Sequence, residues 1–547
     1  MTAVGAIFLA SVVWLTLCMD RNVNVYDEGA ILYDAARVLD GDLPHRDFYV
    51  LYGPGQSYVL AALYKIFGAS VLIERVWDTV VRGLIVVLVT IIVGQAASRG
   101  YAFFAASASL ALLGWVGTYG YPVFPCLAAA LAGLAVLVPA LNRAKPGPGL
   151  VVAGLCAGVA TLFRYDIGIA TFGAEGGVLA FHLWVTRVRE LRAAIRMLIL
   201  FGVGFAIPVV PVAVAFALLG VLPDLVYQVV ILTGKTYLHT RAVPFPRPWM
   251  LRRHADAFAV YLPVVAIAIS IPTMATLLRQ RLRIVYDWPS AGPRPAFASR
   301  ITLSALVALT LVYIAKASVR VSPVQMAMAL VSSLALVGVV AQPLFRRGTV
   351  GRLMAGGTLA IIIAFMLWWI FIGLIQASRN VAWAMSPAAR EFSPTGESSG
   401  SGSCRLPAGL ERMACFRIDP AEVEAIRYVQ QRTAPDDPVF VGLPRHDRIV
   451  INNVLLYFAM IRKSATQWYQ YDPGITTSEQ IQRIMIRDLE HAKPKLVIIN
   501  DVWAEQEPND SAVSSGVTLL DDYIRTMFGP AATFGEYIIL QRRLPEQ

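Results

Sequence analysis

Apolar runs long enough for a helix to cross the hydrocarbon core of a bilayer recur along most of the chain, separated by short polar breaks. About eleven such spans are predicted, at 3–19, 76–97, 101–117, 122–141, 150–164, 167–186, 195–221, 258–278, 301–317, 321–342 and 353–376. Two of the breaks are tight, at Arg164-Tyr165-Asp166 and at Ala317-Ser318. The first long break, 20–75, carries its own helical pattern. Glu28 to Leu39 places Ile31, Ala35, Val38 and Leu39 on one stripe. Gly53-Pro54-Gly55 interrupts the chain, and Ser57 to Phe67 reads as a second amphipathic helix suited to the membrane interface.

The pattern changes after residue 390. Residues 390–403 are rich in Ser, Gly and Pro, as flexible linkers are. Beyond them, helices are predicted at 421–431 and 478–491 and strands at 438–442, 496–500 and 537–541. That alternation indicates a small α/β domain. The expected fold is a polytopic α-helical membrane protein with a C-terminal extracytoplasmic α/β domain. It divides into a membrane domain over residues 1–377 with outer loops 20–75 and 222–257, a linker 378–403 and the α/β domain 404–547.

Composition supports the membrane assignment: 57% hydrophobic and 15% charged residues, with mean hydropathy +0.59. The net charge of +11 does not indicate nucleic acid, because Lys and Arg gather in short loops between spans. Arg143 and Lys145 lie in one loop, and Arg187, Arg189, Arg192 and Arg196 in the next on the same side. Arg279, Arg281, Arg283, Arg294 and Arg300 follow, then Arg346, Arg347 and Arg352. Cations concentrated on one side of the bilayer mark it as cytoplasmic. The N-terminus is then expected inside, and 20–75, 222–257 and the tail outside, at the plasma (inner) membrane. The first span lacks a basic flank and a clear cleavage site, so it is expected to be retained.

Cys18, Cys126 and Cys156 lie in or beside spans and are expected to pack. Cys404 and Cys415 have no neighbouring Cys at zinc-ligand spacing. An extracytoplasmic tail sits in an oxidising compartment, so these two are expected to form a disulfide. The acidic pair Asp27-Glu28 stands where the chain leaves the first span. Carboxylates near lipid are costly unless hydrated, paired or used, which makes this pair the leading candidate for chemistry.

Several segments in order carry a resemblance. Asp27-Glu28-Gly29 follows the first span, then His45-Arg46-Asp47-Phe48, Leu51-Tyr52-Gly53-Pro54-Gly55 and Arg75 at the start of the second. Gly158 to Gly168, with Arg164-Tyr165-Asp166 inside it, comes midway. Together these resemble the GT-C superfamily of integral-membrane glycosyltransferases, in particular its protein-mannosyltransferase and aminoarabinose-transferase-like branch. The resemblance covers the first half; the later spans match in layout. It implies transfer of a sugar from a polyprenyl-phosphate donor to a hydroxyl acceptor at the outer face, the acceptor being an envelope glycan, lipid or protein.

Under that resemblance Asp27 is the general base of an inverting transfer; the alternative is a helix N-cap. Glu28 would orient an Arg or the acceptor, or favour the helix dipole. Asp27, Asp47 and Asp166 together would offer oxygen ligands to a divalent cation. For Asp47 a local pair with Arg46 or His45 is the preferred alternative. Some relatives carry a second acid in the outer loop between the third and fourth spans; here Thr118-Tyr119-Gly120-Tyr121 has none. Arg164, foremost, with Lys316 and Arg320, would stabilise the lipid phosphate as its charge grows; the alternative is snorkelling to headgroups. Tyr52, Lys235, His239 and Arg241 are further substrate-binding candidates. The loop that holds the last three, with Tyr237 and Pro244-Phe245-Pro246, would cover the substrate. Trp468, Tyr469 and Tyr471 are expected in the tail's core rather than on a sugar-binding face.

Two other function classes compete. A transporter or flippase of a polyprenyl-linked lipid or glycan would show charged or broken helices at mid-membrane, whereas the strong charges here are read at span ends. A non-catalytic assembly partner would have no use for acids at the membrane edge.

Overall fold

The computed structural model of the protein describes residues 3–143, 147–185, 191–237, 240, 242–243, 245–251, 255–281, 295–386, 404–406, 408–448, 451–472, 474–500 and 513–543. Lys145, Arg187, Arg189, Arg283, Arg294, His239, Arg241 and most of the predicted linker lie outside the described residues.

Each apolar run coincides with a helix. In order these are α1 (Ala3–Leu17), α4 (Val71–Gly94), α5 (Arg99–Trp115), α6 (Val123–Leu141), α7 (Gly147–Phe163), α8 (Tyr165–Val185) and α9 (Leu191–Leu218), with α2 and α3 in the segment 20–75 described below. Helices Leu262–Arg281, Pro295–Ala317, Pro323–Phe345 and Gly348–Met385 follow. Eight helices among the described residues are long and apolar enough to cross a membrane; Ala3–Leu17 and Gly147–Phe163 are shorter apolar helices. The protein is a polytopic helical membrane protein. Small residues set the closest contacts, since any Cβ added at Gly154 would strike the Phe201 carbonyl and one at Gly204 the Val151 carbonyl. Glycine lets the α7 and α9 backbones touch.

The helix Gly348–Met385 runs 38 residues, a length of about 57 Å. It replaces the start of the predicted linker, because apolar and small residues continue the helical pattern through Met385.

The segment 20–75 forms α2 (Asp27–Leu39) and α3 (Gly55–Phe67). Every residue from Glu28 to Arg37 is buried. An amphipathic stripe alone would leave one face open; here the tail covers it. The Tyr33 ring stacks on Tyr457 at 5.1 Å and meets Tyr469 edge-on at 4.8 Å. The Leu455 amide donates to the Val25 carbonyl at 3.0 Å, and only glycine at position 29 permits that approach, since a Cβ would sit 2.6 Å from the Leu455 nitrogen.

The tail's sheet has the order β1-β2-β4-β3, from Phe440–Gly442, Leu496–Asn500, Phe528–Phe534 and Tyr537–Arg542 numbered in chain order. β1 and β2 are parallel, with Val441 opposite Ile498; β4 runs antiparallel to β2, with Ile498 opposite Ile539. The crossover helix Glu479–Ala492 starts on a Ser478 cap and ends at left-handed Lys493. β3 is an edge strand with a register shift between Pro530 and Ala532. A proline is tolerated at such an edge. A disulfide joins Cys404 and Cys415. Trp468, Tyr469 and Tyr471 are buried where the tail meets the segment 20–75: Trp468 stacks on Tyr49 at 4.8 Å, and Tyr26 donates to the Tyr471 carbonyl at 3.1 Å.

Candidate functional site

The site begins on the first turns of α4. Ser70 caps the helix, its hydroxyl accepting from the Ile73 amide at 3.4 Å. Arg75, Asp78 and Arg82 then recur at three- and four-residue spacing, so they share one face, and Glu74 lies one turn before Asp78. All four are buried. Arg75 Nε donates to Glu28 Oε1 at 2.5 Å and its Nη2 to Glu28 Oε2 at 2.8 Å. The same guanidinium donates to the Asp20 carbonyl, the Asn22 carbonyl and the Thr118 hydroxyl. Arg82 pairs with Asp78 at 2.8 Å and donates to the carbonyls of Leu113, Val116 and Gly117. Glu74 Oε1 accepts from the Gly120 amide. Two arginines thus tie the exit of α1 and the 116–121 loop to one helix end.

Asp27 stands on this platform as the first residue of α2, half-buried. Asn24 caps the helix entry: its Oδ1 accepts from the Tyr26 amide at 3.0 Å and the Asp27 amide at 2.8 Å. The N-cap residue Tyr26 makes no side-chain cap. The capping role considered for Asp27 therefore falls to Asn24. Tyr119 lies near enough to feel Asp27; burial first, then the Asp27 charge, holds its phenol well above the usual range. Glu28 is fully buried and paired with Arg75.

A second group gathers where α7 ends and α8 begins. Arg164 donates to both Asp166 oxygens, at 3.1 and 3.0 Å, and Lys316 Nζ reaches Asp166 at 2.8 Å. The Arg164 guanidinium lies over the Tyr52 ring at 4.9 Å. The Tyr52 and Tyr121 hydroxyls are 3.1 Å apart, and Gln325 Nε2 donates to Tyr121 at 2.8 Å. Gly53 holds this loop on α7: its amide donates to the Phe163 carbonyl at 3.1 Å, and a Cβ there would strike the Leu162 carbonyl. Behind it, Tyr165 donates to the Tyr52 carbonyl at 2.7 Å and contacts His45 Nε2 at 2.8 Å. Gln228 closes the other His45 nitrogen at 2.9 Å. Burial pushes the His45 imidazole down to about 4.

The structure thus brings Tyr52, Arg164, Asp166 and Lys316 together. Asp47 is held by Arg46 at 2.9 and 2.8 Å, the local pair preferred from sequence. Asp47 and Asp166 are each tied to cationic side chains, a donor set that does not fit a divalent cation. Among the described residues no group of three or more His, Cys, Asp or Glu is placed to hold a metal. Arg320 is half-buried on the connection before Pro323, and Lys235 is exposed on the π-helix Tyr227–Tyr237.

Sequence reasoning missed Glu74, Asp78 and Arg82, although the Asp78–Arg82 spacing is the signal of a helical ion pair. It also missed Gln228 and Gln325, which single polar residues in apolar surroundings do not betray. The expectation that strong charges sit only at span ends needs correction. Glu175 is buried within α8, near Cys156, Tyr313 and the glycine at 133. Gly133 has no side chain, which leaves the space its carboxyl occupies.

No family profile and no curated relative matches the chain. Solved structures do match it. One is ArnT from Cupriavidus metallidurans bound to undecaprenyl phosphate, at 14% identity and TM-score 0.55, covering 98% of this chain and 98% of that one. The apo state of the same protein matches at 13% identity and TM-score 0.56, covering 97% and 96%. The archaeal oligosaccharyltransferase AglB from Archaeoglobus fulgidus, in complex with an inhibitory peptide and a dolichol-phosphate, matches at 10% identity and TM-score 0.50, covering 91% and 69%. At these identities the likeness is one of fold, shared with ArnT and AglB over most of the chain.

Proposed function

We propose that this chain moves a sugar from a polyprenyl-phosphate donor to a hydroxyl acceptor at the outer face of the plasma membrane, with inversion, Asp27 acting as general base. The observation that carries the reading is the seat of Asp27. Its helix is capped by Asn24, its neighbour Glu28 is locked to Arg75, and its carboxyl remains half-buried at the platform's edge. A carboxylate held there, at the end of a helix whose amides Asn24 caps, suits proton removal from an attacking hydroxyl.

Arg164 and Lys316, with Asp166 between them, form the lipid-phosphate end of the site. The acid keeps two cations close while they await an anion, and a guanidinium suits a phosphate through its paired donors. Arg320 and Lys235 add positive charge at the rim. The likeness to ArnT bound to undecaprenyl phosphate supports a polyprenyl-phosphate donor; the sugar and acceptor follow from neither fold nor site. Buried Glu175 is the feature that a transporter reading would use. Among the described residues that reading lacks a second charge beside it at the same depth.

The test is direct. Purified protein in nanodiscs is given undecaprenyl-phosphate-linked sugars, and release of undecaprenyl phosphate is followed. Release by the native chain and not by Asp27→Asn supports the proposal; transfer that is equal in both, or release with neither, defeats it.

A further inference from the structure

Between the segment 20–75 and the tail lies a groove of about 510 Å³. Arg37 and Asp47 line it from the segment 20–75, and Thr466, Gln467, Asp488 and His491 from the tail. It is separate from the Arg164–Asp166–Lys316 group, none of whose residues lines it.

Its polar groups are fixed in place. Arg37 Nε donates to Asp42 at 2.5 Å and its Nη2 to the Asp47 carbonyl at 3.1 Å. The Leu43 amide donates to Asp47 at 2.8 Å, and Thr466 Oγ1 donates to Asp488 at 3.0 Å. The walls are held together by the Tyr49 amide donating to the Gln467 carbonyl at 3.0 Å. The charges compensate one another locally, Arg37 by Asp42, Asp47 by Arg46, and Arg487 beside Asp488.

This chemistry selects a ligand class. An anion set against Arg37 would also face Asp47 and Asp488, and a cation set against the acids would face Arg37 and Arg487. An apolar ligand would strip water from polar walls without replacing its hydrogen bonds. A neutral, hydroxyl-rich ligand fits, because guanidinium, carboxylate and amide groups each present paired donors or acceptors to adjacent hydroxyls.

We infer that this groove is a second, saccharide-binding site for a neutral oligosaccharide. Arg37 and Asp27 share α2, ten residues apart, a rise of about 15 Å. The residues of α2 between them are buried, so the groove holds its saccharide apart from Asp27, and binding there does not depend on the proposed transfer.

The test uses full-length protein in nanodiscs and neutral linear oligosaccharides of two to six units, followed by ligand-observed NMR titration. Saturable binding is expected, weakened at least tenfold by Ala492→Trp, which fills the groove, and by Arg487→Ala, whose side chain is 73% exposed. Asp27→Asn should bind as the native chain does, so loss of transfer and loss of groove binding are told apart. Should Ala492→Trp fail to fold, Arg487→Ala still decides. Absence of saturable binding, equal binding by the groove variants, or a groove that takes inorganic phosphate in preference to the sugars overturns the inference.

Discussion

Glu28 and Arg75, on α2 and α4, form a two-stranded ion pair at 2.5 and 2.8 Å in which both side chains are almost wholly hidden from solvent. The pair closes the joint between the exit of α1, the 116–121 loop and α2. Removing one partner strands the other charge, which costs about 3–5 kcal/mol for a buried pair. Glu28→Ala and Arg75→Ala should each lower the thermal midpoint sharply, and Arg75→Lys should recover little because one ammonium cannot replace the fork. Midpoints from detergent-solubilised protein check this; a native-like Arg75→Lys would show that the fork is dispensable.

Asp27→Asn separates proton transfer from folding. Asn24 supplies the cap, so the variant should keep its thermal midpoint. Turnover should fall by roughly 10²–10⁴-fold, the usual worth of a general base. Single-turnover transfer alongside a melting curve is the measurement. Turnover close to native would remove Asp27 from the chemistry.

Arg164→Ala should weaken use of the lipid donor, seen as a raised KM for the polyprenyl phosphate sugar. Arg164→Lys should recover some of it, because charge remains while the paired donation is lost. Asp166→Asn frees both cations it now binds and should tighten binding of free undecaprenyl phosphate, and so its inhibition of the reaction. Unchanged donor KM in Arg164→Ala would leave the residue as a headgroup anchor.

Asp34 makes the joint between α2 and the tail sensitive to pH. Burial raises its carboxyl to about 8, although Tyr469 and Gln470 donate to it at 2.6 and 2.7 Å. An acid raised on folding contributes stability that is whole below its unfolded pKa and is lost as pH climbs through the folded one. The loss is about 1.4 kcal/mol per pH unit within that window. His45, lowered to about 4, acts oppositely between that value and its unfolded pKa near 6.5. Burial also raises the Glu422 carboxyl to about 7, which adds to the fall below that value, so the Asp34 effect is read between about 7 and 8. Asp34→Asn should flatten the fall in thermal midpoint over that range and raise the midpoint at pH 8. An unchanged slope would exclude Asp34 as its source.

The Cys404–Cys415 bridge closes a separation of 11 residues. Loops of this size gain about 2–3 kcal/mol from closure. Reduction should lower the midpoint modestly, and non-reducing peptide mass spectrometry of protein from its native envelope should find the pair joined. Two free thiols there would count against both the bridge and an outer tail.

Local pattern made the membrane helices, α2, α3 and most of the tail's elements legible, because each follows from periodicity and end signals within the segment itself. β3 was not, since Gly529, Pro530 and Ala531 are poor strand formers and only pairing with β4 recruits them. The Arg164-Tyr165-Asp166 junction was visible as a charged break. Its partner Lys316 lies on a helix far along the chain, and only folding sets it 2.8 Å from the shared acid. The platform on α4 is hidden in the pattern, because its charges read as the polar flank of a span. Burial of α2 by the tail could not be foreseen, as no local signal reports contacts across hundreds of residues.

That burial also fixes an order of events during synthesis. Asp34 and Tyr469 are 435 residues apart. At roughly 5–20 residues per second the ribosome needs about 20–90 s to pass from one to the other. Through that interval α2 exists with none of the tail's side chains to cover it. A chain cut short before Tyr457 leaves that helix, with Asp27 at its start, stripped of the tail's cover and tied to α4 through the Glu28–Arg75 pair.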